Sequence, residues 1–171
     1  MLMIARDNAT REQLNHAARQ HLKTHRLLPV DGELIGDREW APGDRVIARR
    51  NNPALDIDNG TTASITAIAR NGQHVLITTD AGRTLVLDRA YVHEHLQHAY
   101  ATTAHSSQGA TVRDAIIVGR PEDFTREWAY TALSRAQGHT TIHLFADRGP
   151  APLHSPPPAQ ATATPDRPRR P

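Results

Sequence analysis

The sequence predicts an α/β layer with a small all-β unit inserted into it, and three observations lead there. Apolar runs alternate with helical repeats near both ends of the chain, and the middle is a series of short alternating runs cut by turn signals. The final stretch is too rich in proline to join a core. With 171 residues, 38% of them hydrophobic, the chain suits one compact unit or two very small ones. No run approaches the roughly 20 apolar residues that a membrane helix needs, and the first apolar run is too short for a signal peptide. A cytoplasmic protein without a membrane partner is the expectation. The absence of cysteine excludes disulfides, Cys-ligated zinc and thiol nucleophiles.

Taken in order, residues 1–5 read as a strand. Thr10-Arg11-Glu12-Gln13 has the form of a capping box, and Leu14, Ala17, Ala18 and Leu22 then recur at helical spacing until His25 and Pro29. Between Gly43 and Leu87, runs at 45–49, 63–69, 75–79 and 84–87 predict strands. Turns at Asn59-Gly60, Asn71-Gly72 and Ala81-Gly82 separate them, as in a small antiparallel barrel or meander. Beyond Tyr91, residues 99–103 and 115–118 predict two strands flanking a polar loop. Phe124, Trp128, Ala132 and Ala136 repeat every four residues, with Glu122 and Asp123 where the helix dipole favours anions and Gly138 beyond the end. Residues 140–146 read as a buried strand. Residues 149–171 read as a disordered or polyproline-like tail, or as a reading-frame remnant.

The formal charge of +2 resides in residues 151–171, where Arg167, Arg169 and Arg170 outnumber Asp166, so the body is neutral. Composition therefore does not by itself predict a nucleic-acid partner. All the basic residues but Lys23 are arginine, a bias that genome composition explains as readily as chemistry.

Two stretches carry chemistry. In Tyr100–Thr111 a strand gives way to Thr103, His105, Ser107, Gln108 and Gly109, hydroxyls, side-chain donors and a glycine amide that together suit a phosphate. An ordinary polar loop has the same composition. In Trp128–Ala136, Arg135 flanks the apolar stripe, where a held guanidinium can neutralise a transferring phosphoryl group. A plain helix-end arginine favoured by the dipole reads the same way. Arg45 and Arg49 share a strand face that could track phosphates, with Arg50 opposite; a solvated face is the alternative. His93, His95, His98 and His105 do not fall at ligand spacing, since Gln97 stands four residues beyond His93, so no metal site is expected.

Together the stretches resemble the last motifs of superfamily 1 DNA helicases, RecD-like and nearest to the helicase part of conjugative relaxases. Thr103-Ala104-His105-Ser106-Ser107-Gln108-Gly109 looks like motif V and Tyr130-Thr131-Ala132-Leu133-Ser134-Arg135-Ala136 like motif VI. Gly43-Asp44-Arg45-Val46-Ile47, Asn51-Asn52 and Asn59-Gly60-Thr61 resemble the small SH3-like barrel inserted in the second motor domain. Ser106, Thr111 and Ala63 depart from residues common in relatives, Lys, Glu and Gly. The resemblance covers about residues 1–147. It implies a RecA-like, P-loop NTPase type second motor domain at 1–40 and 91–148, with an SH3-like barrel at 41–90. It also implies Arg135 at the γ-phosphate as the catalytic arginine, Gln108 and Gly109 in the nucleotide cleft, and Thr103 and His105 on single-stranded DNA.

The sequence holds no Gly-Lys-Ser/Thr loop, because Lys23 follows Leu22, and no apolar run ends in Asp-Glu. ATP with magnesium is accordingly expected only when a P-loop first motor domain, on the same or a separate chain, completes the cleft. No ATPase is expected from this chain alone. The alternatives are a stand-alone nucleic-acid-binding module or an inactive gene fragment.

Overall fold

The computed structural model describes residues 2–104, 106 and 112–145. The elements run β1 (Leu2–Ala5), α1 (Asn8–Thr24), β2 (Glu33–Ile35), β3 (Arg38–Trp40), β4 (Arg45–Ala48), β5 (Thr62–Ile68), β6 (His74–Thr79), β7 (Thr84–Asp88), α2 (Arg89–His95), β8 (Leu96–His98), β9 (Ala101–Thr103), β10 (Ala115–Gly119), α3 (Arg126–Leu133) and β11 (Thr140–Leu144).

The first and last elements build one all-parallel sheet in the order β11-β10-β1-β9. Its centre is apolar: Ile4, Ala115 and Ile117 are buried with Trp128 and Ala132 of α3. The chain runs from β1 out to β9 on one side, then crosses back to β10 and on to β11 on the other. The strand order therefore reverses between β1 and β10, and the crevice beyond their C-terminal ends is the place where α/β sheets bind ligands.

The residues between form a five-stranded antiparallel sheet ordered β7-β6-β5-β4-β8, with the β2–β3 hairpin beside it. Alternation along β5 and β6 sends Ala63, Ile65, Val75 and Ile77 inward, where they meet Val46, Leu87, Val92 and Leu96. The outer strands β7 and β8 do not pair with each other, so the hydrogen-bonded ladder is an open sheet. Gly36 turns the β2–β3 hairpin at φ +67°, and a Cβ there would lie 1.9 Å from the His93 ring. Only glycine allows the hairpin to seat against α2 this closely.

Four expectations shift. Thr10 does not cap α1: Asp7, extended at φ −137° and ψ 172°, accepts the Thr10 amide at 2.8 Å, so the helix begins one turn earlier. The buried face of α1 is not Leu14, Ala17, Ala18 and Leu22 but Arg11, Asn15 and Arg19, spaced by four. Tertiary partners for polar side chains decide this face. The helix expected through Ala136 ends at Leu133, and Pro121–Asp123 form a separate 3-10 turn ahead of it. The last strand is exposed along most of its length, with Ile142 45% and Leu144 58% accessible. It is an edge strand, covered on neither face by the described residues. The hairpin, α2 and β8 carried no clear periodicity, being three to seven residues long.

Candidate nucleic-acid interface

The polar loop follows β9. Thr103 Oγ1 donates to Ser106 Oγ at 3.0 Å and accepts the Ser106 amide at 3.3 Å, a local turn that pins Ser106 at the strand end. His105, Ser107, Gln108, Gly109 and Thr111 lie outside the described residues. Ser106 lines two adjoining hollows. One, of about 120 Å³, runs between the two sheets past Ile47, Arg49, Thr62, Ala101 and Thr102. The other, of about 390 Å³, is bounded by Arg6, Asp7, Asn8, Thr103 and Trp128 at the end of β1. The two hollows share Ser106; hydroxyls, the Asn8 amide and one arginine in each line them, beside the Asp7 carboxylate, the Trp128 ring and the apolar side chains of Leu2, Ile47, Ala99 and Ala101.

Those arginines are held differently. Arg49, half-buried, donates from Nε to Gln97 Oε1 at 2.9 Å, and burial with Arg11 nearby lowers its guanidinium from the ordinary value. Arg6 lies 5.8 Å over the Trp128 ring and 3.9 Å from Asp123. Arg45, expected to share a phosphate-tracking face with Arg49, lines neither hollow. It forms a two-pronged pair with Asp80, both contacts at 2.7 Å, and donates to Ser64 at 3.0 Å. Asp80 thereby raises Arg45 and is itself lowered. Thr103 and Arg49 thus line neighbouring hollows that share Ser106, and Arg45 lines neither.

Arg135 sits just past α3. Its Nε donates to Thr131 O at 3.0 Å and its Nη2 to Ser134 Oγ at 2.8 Å, closing the last turn, while its carbonyl accepts the Val112 amide at 2.9 Å. No cluster of three His, Asp or Glu among the described residues could hold a metal ion, and the sequence holds no phosphate loop.

Sequence reasoning missed Arg6 and Asn8. The available signal was their place, directly after an apolar strand and at the start of a helix, where α/β sheets put ligand contacts. It also missed Asp44, Arg19 and Tyr100, a buried polar joint whose members are 25 and 56 residues from Asp44. No helix among the described residues is long and apolar enough to cross a membrane.

Fold and sequence relate this chain to the motor domains of superfamily 1 helicases and relaxases. It is 35% identical over 111 residues to the probable conjugal transfer protein TraA of Sinorhizobium fredii, a match covering 65% of this chain and 10% of that protein. The ATP-dependent RecD2 DNA helicase of Deinococcus radiodurans is 31% identical over 109 residues, covering 62% of this chain and 15% of the helicase. An uncharacterized protein of Mycobacterium tuberculosis is 29% identical over 101 residues, 57% of either chain, so those two chains are of similar length. Among solved structures, Bacteroides Pif1 helicase in complex with ADP-AlF3 and ssDNA superposes with a TM-score of 0.63 at 22% identity, over 85% of this chain and 40% of that one. Bacteroides Pif1 bound to ssDNA superposes at 0.61 with 20% identity, over 85% and 41%. At that identity the likeness is one of fold. The chain spans about a tenth of the length of the TraA protein. No protein-family profile matches it.

Proposed function

We propose that this chain is the second motor domain of an ATP-dependent DNA helicase of conjugative-relaxase or RecD-like type, supplying single-stranded-DNA contacts and one arginine to a shared nucleotide cleft. In this reading residues 1–40 and 91–148 are the RecA-like part. Residues 41–90 are the counterpart of an SH3-like barrel, whose core also takes in Ile35 and Trp40 before it and Tyr91, Val92 and Leu96 after it. The observation that carries the proposal is the cleft between the sheets. Ser106, Asn8, Arg6 and Arg49 are the polar groups there that would position a phosphodiester backbone without reading its bases, the Thr62 and Thr103 hydroxyls being given to Asp80 and Ser106. Both Pif1 structures named above hold ssDNA.

His105 joins the DNA contacts in this proposal, and Arg45, neutralised by Asp80, is left out of them. Gln108, Gly109 and Arg135 belong to the nucleotide side. ATP with magnesium would enter only with a P-loop domain, which supplies the phosphate cradle and metal carboxylates; this chain's part is to place charge beside it.

The test is fluorescence anisotropy of a labelled oligothymidylate at low and physiological salt. Binding that weakens steeply with salt, and weakens further in Arg49→Ala and Arg6→Ala, is the expected result. No binding by the folded protein at either salt would overturn it. A second reading, a stand-alone binding module, is favoured by the mycobacterial relative of similar length. Arg135→Ala separates the two: under the motor reading it abolishes ATPase stimulation in a motor reconstituted with a P-loop domain, and under the binding-module reading it leaves DNA affinity unchanged.

A further inference from the structure

The most deeply buried polar cluster lies outside the cleft. Asp44, fully inaccessible, accepts Arg19 Nε at 2.9 and 3.1 Å, the Tyr100 hydroxyl at 2.7 Å and the Ala41 amide at 2.7 Å, and His98 Nε2 stands 3.7 Å away. Arg19 also reaches Glu39 at 2.9 Å, which Lys23 holds at 2.7 Å. One carboxylate thus joins α1, the turn entering β4, and the link from β8 to β9. These are the points where the chain leaves the parallel layer for the inserted sheet and where it returns. Asn15 of α1 fastens the same return, accepting the amides of Tyr100 and Ala101 at 2.8 and 2.9 Å.

A buried ion pair is a poor source of net stability, because desolvation offsets most of the attraction. What this one does is fix geometry. Asp44 immediately precedes β4, and Arg49 follows the other end of that strand. Tyr100 immediately precedes β9, which carries Thr102 and Thr103. The joint therefore holds, at one end, the two strands whose other ends bound the cleft.

We propose that Asp44 is a positioning residue: through Arg19 and Tyr100 it sets β4 against β9 and so aligns Arg49 with Thr102 and Thr103 across the strand-binding cleft. This rests on the proposed function for its ligand but not for its geometry, and two measurements keep them apart. Tyr100→Phe removes one hydrogen bond to Asp44 and keeps the ring.

Hydrogen exchange followed by mass spectrometry on Tyr100→Phe should show faster exchange at the Arg49 amide, bound to His95 O at 2.8 Å on the far side of the strand, with β5 and β6 unchanged. Affinity for oligothymidylate should fall about fivefold in the folded variant, and adding Arg49→Ala should cost less than it does in the wild type, the non-additivity of coupled residues. A residue that only stabilises would lower the melting temperature and leave the affinity of the folded protein alone. Unchanged exchange at Arg49 overturns the proposal, as does wild-type affinity in Tyr100→Phe or full additivity with Arg49→Ala. If the wild type itself fails to bind, the functional reading falls, and the exchange measurement still decides the positioning role.

Discussion

Among the described residues the inserted antiparallel sheet closes thirteen side chains into its own core, whereas the parallel layer gathers six. The difference is one of completeness. Hairpin-connected strands bury one face against their own neighbours and α2, so the inserted sheet finds its partners between Ile35 and Leu96. A parallel sheet needs cover on both faces. Here α1 and α3 cover the middle, while Ile142 and Leu144 of β11 and Tyr130 and Leu133 at α3 stay exposed.

The contrast is best broken at the inserted core. Ile65→Ala, at a side chain 1% accessible, should cost about 3 kcal/mol in urea unfolding. A loss below about 1 kcal/mol would mean that this core is not the stable half. Next comes acid. Burial raises the Asp44 carboxyl, but His98, Arg19 and Tyr100, in that order, pull it down more strongly, from 3.8 to about 2. Because the folded protein then binds this proton less readily than the unfolded chain, the contribution is complete above pH 4. It is lost as the pH falls through 2, about 2 kcal/mol in all. Urea midpoints measured from pH 6 to pH 2 should show this fall, and Asp44→Asn should flatten it.

Two smaller substitutions sharpen the parallel side. Asp7→Ala removes the cap of α1 and should cost about 1 kcal/mol, read from the thermal midpoint. Ile142→Thr, on a strand already in solvent, should change stability by no more than about 0.5 kcal/mol. Its effect belongs in sedimentation velocity, as reduced self-association of the exposed edge. A cost of several kcal/mol there would show that β11 is covered after all.

Much of the architecture could be read from local pattern. The strands at 45–48, 62–68, 74–79 and 84–88 alternate between turns, and β1, β10 and α3 announce themselves by apolar period. The two motif stretches were read as residue strings, and Thr103 and Arg49 line neighbouring hollows that share Ser106. Arg45 illustrates the limit: its partner Asp80 is 35 residues away, and nothing near Arg45 in the chain says that its charge is spent. The mistaken cap teaches the same at short range, where Asp7 and Thr10 both suit the role and the strand preceding Asp7 settles which one is taken.

By itself the sequence determined the alternation of elements and the missing phosphate loop, because these depend on side-chain period, turn chemistry and the presence of particular residues. Only the tertiary structure decided which face of α1 is buried, that β11 is an edge, and that Arg19, Asp44 and Tyr100 share one buried site. Those outcomes depend on which distant groups can satisfy a buried charge or hydrogen bond. A desolvated carboxylate is tolerable only where such partners converge, and convergence is a property of the fold.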